Sequence, residues 1–500
     1  MRKKSLAVQF LVPGGDVIAT GAAGMCGCSP ATAMTMALRS SSAMVLLLGS
    51  VTAAPSQPTG IHLAFAAPGS ISVMWSTRRP ISSGARWAAG HHGNATELPL
   101  TNQSGGSSVC PACAQYSGAS PLCQWHHTVL ISGLTPGQAV IYQVGDPFAE
   151  IWSPRLSFVA PDMLADTTFT AAFFADMGWQ SVSDTRPGSS NGSTPAGCTF
   201  ITQCGLDNRN DSIPNQVMPW LLARSSSYDF ALHAGDISYA DNVPGEDYDL
   251  VWDRFMDMVE PLASRVPYMV TPGNHEASCS QCCEPFPKHA PGYCDRSVCA
   301  WSANFTAYNT RFSMPGPSSA TPTAAAAQSM YWSVNYKSVH LVGIDDSQGT
   351  TADHGFGDQL AWLADDLAQV NRSATPWVVV TGHIPYWSSC PASNCPDFNA
   401  TFDPLFRKHG VDIYMAGHVH NYERTLPQGG VLHLMNGAAG DTEACTPFPQ
   451  PSPVWSAHRY AGFGWGELRA SMTSLEWKFF RSKDGLLEDQ WSKHTPTVYS

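Results

Sequence analysis

From about Pro58 to Ala160 the chain is written in short apolar or alternating runs separated by turn residues. Ile61-His62-Leu63-Ala64-Phe65, Ile71-Ser72-Val73-Met74-Trp75, His127-Thr128-Val129-Leu130-Ile131 and Ile141-Tyr142-Gln143-Val144 are the clearest. Strands this short at regular spacing predict a small all-β sandwich, with Leu156 to Val159 as its last strand and Pro161 to Thr167 as a linker. After Thr168 the texture changes. Phe169 to Ala175, Phe230 to Ala234, Tyr268 to Val270, Trp377 to Val380 and Val411 to Met415 are near-continuous apolar runs, the mark of strands buried on both faces. Between them, Ile213 to Ser226, Asp249 to Ser264 and Gln359 to Val370 carry helical spacing, with Leu360, Leu363 and Leu367 aligned on one face. Tyr331 to Ile344 predicts a hairpin. This alternation predicts a layered α/β domain. Cys279 to Ser329 is an irregular insertion, and no internal repeat is present.

Composition narrows the class. The chain has 500 residues, enough for two or three domains, and 43% hydrophobic content argues for a folded protein. A formal net charge of −12 argues against a general nucleic-acid binder. Fifteen cysteines accompany sequons at Asn94, Asn102, Asn191, Asn210, Asn304, Asn371 and Asn399. Cys110-x-x-Cys113 and Cys279-x-x-Cys282 read alone as zinc sites, but together with the sequons they favour the secretory route and disulfides of undetermined pairing. An apolar core at Ala43 to Ser50 follows Arg39 and precedes the small residues before Ala54, which predicts a secretory signal. Residues 1–54 are therefore expected to be a signal peptide with an upstream extension, either because translation starts at Met34 or Met36 or because the upstream segment is a non-native extension. That core is too short to cross a bilayer, and no later run approaches about 20 apolar residues.

The buried strands share one ending. Each leads into potential ligands: Asp176-Met177-Gly178, Gly235-Asp236-Ile237-Ser238-Tyr239, Gly273-Asn274-His275-Glu276, Gly382-His383, and Gly417-His418-Val419-His420. Open α/β sheets bind ligands at the carboxyl ends of their strands, so the five loops are expected to converge. One carboxylate can bridge two metal ions. Alternate residues of an extended segment face one side, so His418 and His420 can each serve one metal. The glycines are expected to let the backbone turn while a neighbouring side chain faces the metal. Taken singly, the motifs have plainer readings: a strand-to-loop turn, a satisfied core histidine, a mononuclear zinc site. It is their ordered recurrence that points to a dinuclear centre.

In that order the motifs resemble the purple acid phosphatases, within the calcineurin-like metallophosphoesterases, over about residues 56–490. Tyr239 makes the resemblance specific to the purple subgroup. The turn Ser132 to Gly137 before a Tyr-bearing strand resembles fibronectin type III modules, as found in the larger members. The resemblance implies a fibronectin-like domain at 55–160 and an αββα metallophosphoesterase domain at 168–490. It implies Asp176, Tyr239 and His420 as ligands of Fe(III), Asn274, His383 and His418 as ligands of a divalent metal (Zn, Mn or Fe), and Asp236 as the bridge. Hard anionic donors suit Fe(III), and neutral His and Asn suit a borderline divalent ion. The implied activity is a secreted acid phosphatase, glycosylated and extracellular or vacuolar, in which a hydroxide at the Fe(III)–M(II) site attacks a small phosphate monoester. His275 would stabilise the transferring oxygens or protonate the leaving alkoxide. Phosphodiester or pyrophosphate hydrolysis at the same site, and a non-catalytic glycoprotein acting through the fibronectin-like module, are the competing readings; homodimerisation stays open. One departure stands out: the loop Ile384 to Cys390 lacks the adjacent histidines of related plant enzymes, and Cys390 is offered as a partner of Cys395.

Overall fold

A computed structural model of the chain describes residues 57–90, 100–101, 106–109, 124–164, 167–179, 217–241, 248–277, 305–316, 329–347, 358–390, 401–440 and 446–495. The expected signal segment, every cysteine except Cys390 and every sequon asparagine except Asn371 lie outside them.

Among the described residues, nine strands form the N-terminal part: β1 (Thr59–Phe65), β2 (Ser70–Thr77), β3 (Gly84–Ala89), β4 (Leu100–Thr101), β5 (Gly106–Val109), β6 (Trp125–Ser132), β7 (Ala139–Asp146), β8 (Ile151–Trp152) and β9 (Leu156–Val159). One sheet runs β1-β2-β6-β5; the other runs β4-β3-β7-β8, with β9 also along β7. Ile61, Leu63, Ile71, Val73 and Trp75 from the first sheet meet Val140, Tyr142 and Val144 from the second in one core, as alternation requires.

The polar positions between them do not face water. His62, Ser72, Ser76 and His126 are all buried, as is Met74. This face packs on the following domain. Ile61 N–H donates to Glu260 Oε2 at 3.2 Å, the Tyr142 hydroxyl donates to the Ser264 carbonyl at 2.7 Å, and Arg78 pairs with Asp253 at 2.6 Å. Leu63 bridges to Pro267. Both ring nitrogens of His62 meet carbonyls, of Gly60 at 2.7 Å and of Arg311 at 2.9 Å.

The second part has two sheets. Their strands are β10 (Phe169–Phe174), β11 (Phe230–Ala234), β12 (Tyr268–Thr271), β13 (Trp332–Tyr336), β14 (Val339–Gly343), β15 (Trp377–Thr381), β16 (Ile413–Ala416), β17 (Tyr422–Thr425), β18 (Leu432–Asn436), β19 (Ser456–Tyr460), β20 (Gly464–Ala470), β21 (Ser474–Arg481) and β22 (Leu487–His494). The sheet orders are β12-β11-β10-β20-β21-β22 and β13-β14-β15-β16-β18-β17-β19. β10, β11 and β12 are parallel, as are β14, β15 and β16, so their carboxyl ends share an edge within each sheet. Phe173, Leu232, Val379 and Ile413 belong to one continuous core.

The helices are α1 (Val217–Ala223), α2 (Tyr248–Ala263), α3 (Asn274–Ala277), α4 (Thr306–Arg311), α5 (Gln359–Ala368) and α6 (Asp403–His409). α2 buries Val251, Trp252, Phe255, Met256, Val259 and Leu262, and packs on β1. α5 starts where Asp358 accepts the Ala361 N–H at 3.0 Å, a side-chain N-cap. α6 stops at Gly410, whose φ of 64° is the left-handed conformation that ends helices. The α/β layering read from the sequence is the architecture found: an all-β N-terminal domain followed by helices and two packed sheets.

Candidate metal centre

Every candidate ligand sits just past the carboxyl end of a parallel strand. Asp176 follows β10, Asp236 and Tyr239 follow β11, Asn274 and His275 follow β12, His383 follows β15, and His418 and His420 follow β16. Asp176 (φ 60°), Asp236 (φ 49°), Tyr239 (φ 54°) and His418 (φ 70°) are all left-handed. They are four of the seven non-glycine residues with positive φ among those described. Such conformations cost about 1–3 kcal/mol each and persist where the surroundings over-determine them.

The glycines divide into two kinds. Gly235 does turn the chain, with φ 77°. Gly273 and Gly417 instead permit close approach. A Cβ on Gly273 would strike the Asp236 backbone nitrogen and carboxylate, and one on Gly417 would strike the Asp176 carboxylate and Ala175. The turning role expected of all the glycines therefore passes in part to the ligands themselves, because crowded carboxylates leave no room for a Cβ beside them.

The donor atoms fall into two groups that meet at Asp236. In the first, Tyr239 Oη lies 3.1 Å from Asp176 Oδ1 and 3.0 Å from His420 Nε2, with His420 Nε2 to Asp176 Oδ1 at 3.5 Å. In the second, Asn274 Oδ1 lies 3.1 Å from His383 Nε2 and 2.8 Å from His418 Nδ1. Asp236 Oδ2 is 3.4 Å from Tyr239 Oη and 3.0 Å from His383 Nε2, so one oxygen reaches both groups. Ligand atoms bound at about 2.0–2.2 Å stand about 3 Å apart around one ion, and these spacings fit. The ligand atoms of Asp236, His383 and His418 lie within 4.8 Å of one another.

Electrostatics agree with a cation site. Burial pushes the Asp236 carboxyl up, but the His383, His275 and His418 imidazoles outweigh it and hold the group below the usual carboxylate range. Burial likewise depresses His383, yet the carboxylates of Asp236 and then Asp176 raise it to about 10. Without a metal, a proton on His383 is thus the cation that the carboxylates retain. Metal binding replaces such a proton. Tyr239, Asp176 and His383 are fully buried, whereas Asn274 and His418 are half-exposed, so the site opens on their side.

Three supporting carboxylates escaped the sequence reading. Glu276 accepts the backbone N–H groups of Asp236 (2.9 Å), Ile237 (2.8 Å) and Gly273 (2.8 Å), tying the loops after β11 and β12 together. Asp241 accepts from His275 Nδ1 at 2.8 Å. Asp346, past the end of β14, accepts the His383 N–H at 2.6 Å. The same strand-end pattern that marked the ligands preceded Asp345-Asp346, and Glu276 closes the quoted Gly-Asn-His-Glu; only their roles were not legible. His275 Nε2 is 3.8 Å from Asp236 Oδ2, and its ring lies 4.2 Å from that of Tyr239, beside the donors but outside either group.

The loop after His383 supplies no replacement for the absent histidines among its described residues. Ile384, Tyr386, Ser388, Ser389 and Cys390 are buried and Trp387 half-buried. Cys390 is a buried thiol 3.8 Å from the Pro447 carbonyl; its suggested partner Cys395 lies outside the described residues.

Comparison with known proteins agrees with this geometry. The profile of the calcineurin-like phosphoesterases matches residues 172–422. That of the purple acid phosphatase N-terminal domain matches 58–160, and that of the iron/zinc purple acid phosphatase-like protein C matches 430–490. The chain is 28% identical to acid phosphatase type 7 of Homo sapiens, over 84% of this chain and 86% of the human protein. It is 26% identical to an acid phosphatase of Aspergillus ficuum, over 77% and 78% of the two chains. Its fold is similar to that of the purple acid phosphatase PPD1 from yellow lupin seeds, with a TM-score of 0.64 at 22% identity, covering 87% of this chain and 74% of that one.

Proposed function

Since this chain belongs to the purple acid phosphatases within the calcineurin-like phosphoesterases, which hydrolyse phosphate esters at a dimetal site, we propose that it is a secreted, N-glycosylated acid phosphatase acting on small phosphate monoesters. In this reading Asp176, Tyr239 and His420 hold Fe(III), Asn274, His383 and His418 hold a divalent ion (Zn, Mn or Fe), and Asp236 bridges them. The observation that carries it is the division of seven donors into two groups sharing one Asp236 oxygen. When bound, the metal pair supplies Lewis acidity to the phosphoryl group and acidifies a water to a nucleophile.

The chain's own residues do the rest. Glu276 fixes the backbone on either side of Asp236. Asp241 holds the Nδ1 proton of His275 and so turns Nε2 toward the site. As the bond from phosphorus to the leaving oxygen breaks, that oxygen takes a proton from His275 Nε2, while the water oxygen becomes the fourth oxygen of the phosphate product. The sequons and the signal-like segment ending before Ala54 support secretion, and the texture change after Ala160 supports domains at 55–160 and 168–490. Among the described residues no helix is long and apolar enough to cross a membrane.

A side-by-side assay of the purified secreted protein on a phosphomonoester and a phosphodiester, with metal analysis, tests this reading. Monoester turnover in acid with two metals per chain, one of them iron, is the expected result. Preference for the diester, or turnover without iron, overturns it.

A further inference from the structure

Asp346 is 1% exposed and carries four hydrogen bonds, none from a cationic side chain. Its Oδ1 accepts the backbone N–H groups of His383 at 2.6 Å and Ile384 at 3.1 Å. Its Oδ2 accepts the hydroxyls of Tyr414 at 2.5 Å and Tyr386 at 3.2 Å. The two tyrosine rings are stacked, with centroids 4.2 Å apart and planes 7° apart, and both are buried. Gly382 completes the clamp, since a Cβ there would strike Asp346 Oδ2 and Tyr414 Oη. The ring of His383 is pinned independently, by Nδ1 against the Ala234 carbonyl at 2.9 Å.

We propose that Asp346 is a positioning residue for one of the two metals only, the one held by Asn274, His383 and His418. The inference rests on the dimetal reading above. Its geometry makes it selective. The clamp fixes the backbone at His383, whereas none of its hydrogen bonds reaches Asp176, Tyr239 or His420. A partner that fixes a ligand's position tunes the affinity for the ion that this ligand holds.

The test uses the full-length, metal-loaded protein with Asp346→Asn, which keeps shape and replaces one acceptor oxygen by an amide NH2, and Tyr414→Phe, which removes one donor to the Asp346 carboxylate. Each is dialysed against a weak chelator; iron and divalent metal are then counted, and the visible band from the Tyr239 side is recorded. The expected result is a loss of affinity for the divalent ion of about 10–100-fold, with iron and colour retained and activity restored by excess divalent ion. Two metals held as tightly as in the wild type, or both metals and colour lost together, overturn the proposal. If Asp346→Asn does not fold, Tyr414→Phe alone decides between the same outcomes. A wild-type protein that never holds two metals defeats the dimetal reading instead, which keeps the two failures apart.

Discussion

His275 Nδ1 lies 2.8 Å from one oxygen of the Asp241 carboxylate and 3.0 Å from the other. That pairing engages Nδ1 and turns Nε2 toward the candidate donors, 3.8 Å from Asp236 Oδ2, with its direction set by a neighbour rather than by rotamer preference. His275→Ala should retain both metals and lose about 10²–10⁴-fold in kcat if the ring is a general acid. Asp241→Asn should lose about 10–100-fold, in keeping with removal of an orienting partner. The double variant should be no slower than His275→Ala, because the two residues act as a unit. Aryl esters, with good leaving groups, should suffer less than alkyl esters. Equal losses for both would assign His275 to holding the phosphate instead.

Asp236→Ala should abolish turnover and release both metals, since one oxygen of this side chain stands within 3.4 Å of Tyr239 Oη and 3.0 Å of His383 Nε2. Metal content by elemental analysis, together with activity, checks it. A variant with two metals and near-normal rate contradicts the bridging assignment.

Colour tests the proposed iron site at Tyr239. A phenolate on Fe(III) gives a visible charge-transfer band that carboxylate, His and Asn ligands do not. The oxidised protein should therefore be violet, and Tyr239→Phe should bleach it. Part of the activity should survive, because Asp176, His420 and Asp236 remain. A colourless, fully active wild-type protein with two zinc ions decides against the iron assignment.

Acid should weaken the fold through histidines remote from the candidate centre. Burial, and secondarily Arg407, pushes His433 down to about 3, and neither of its ring nitrogens has a partner among the described residues. Its folded value is below the ordinary 6.5, so the unfolded chain binds the extra proton first. Its contribution is complete above about pH 6.5 and is lost as the pH falls toward 3, at about 1.4 kcal/mol per pH unit. His62 and His127, pushed down to about 4 by burial, act in the same sense. Denaturant midpoints at pH 7 and pH 4.5 should differ less for His433→Phe than for the wild type. An unchanged acid loss would remove His433 from the account.

The seven residues proposed as donors lie together in the structure. They stood out in the sequence because residues at strand ends lie next to long apolar runs, and such runs are conspicuous. Asp241, Glu276 and Asp346 did not, because their work is to accept hydrogen bonds from particular backbone groups, and no residue type or spacing announces which groups those are. Ser474 to Arg481 alternates cleanly, burying Leu475, Trp477 and Phe479, yet it was not singled out, since a half-buried strand far from any ligand looks like many others. The polar face of β1 and β2 shows a different limit. Alternation says that one side is polar, but only the neighbour that covers it says whether that side is wet.

That covered face has a practical corollary for anyone cutting the chain. Ile61, Arg78 and Tyr142 hold Glu260, Asp253 and Ser264, which lie on α2 and just beyond it, and the chain runs from there into β12 and Asn274. A fragment beginning near residue 168 would leave Glu260 without the Ile61 N–H and Asp253 without Arg78, at the base of the segment that delivers a ligand. The N-terminal sandwich is therefore less a passenger with its own binding business than a splint. The two parts should melt in a single transition, and a protease that nicks between them should leave a noncovalent complex rather than two proteins.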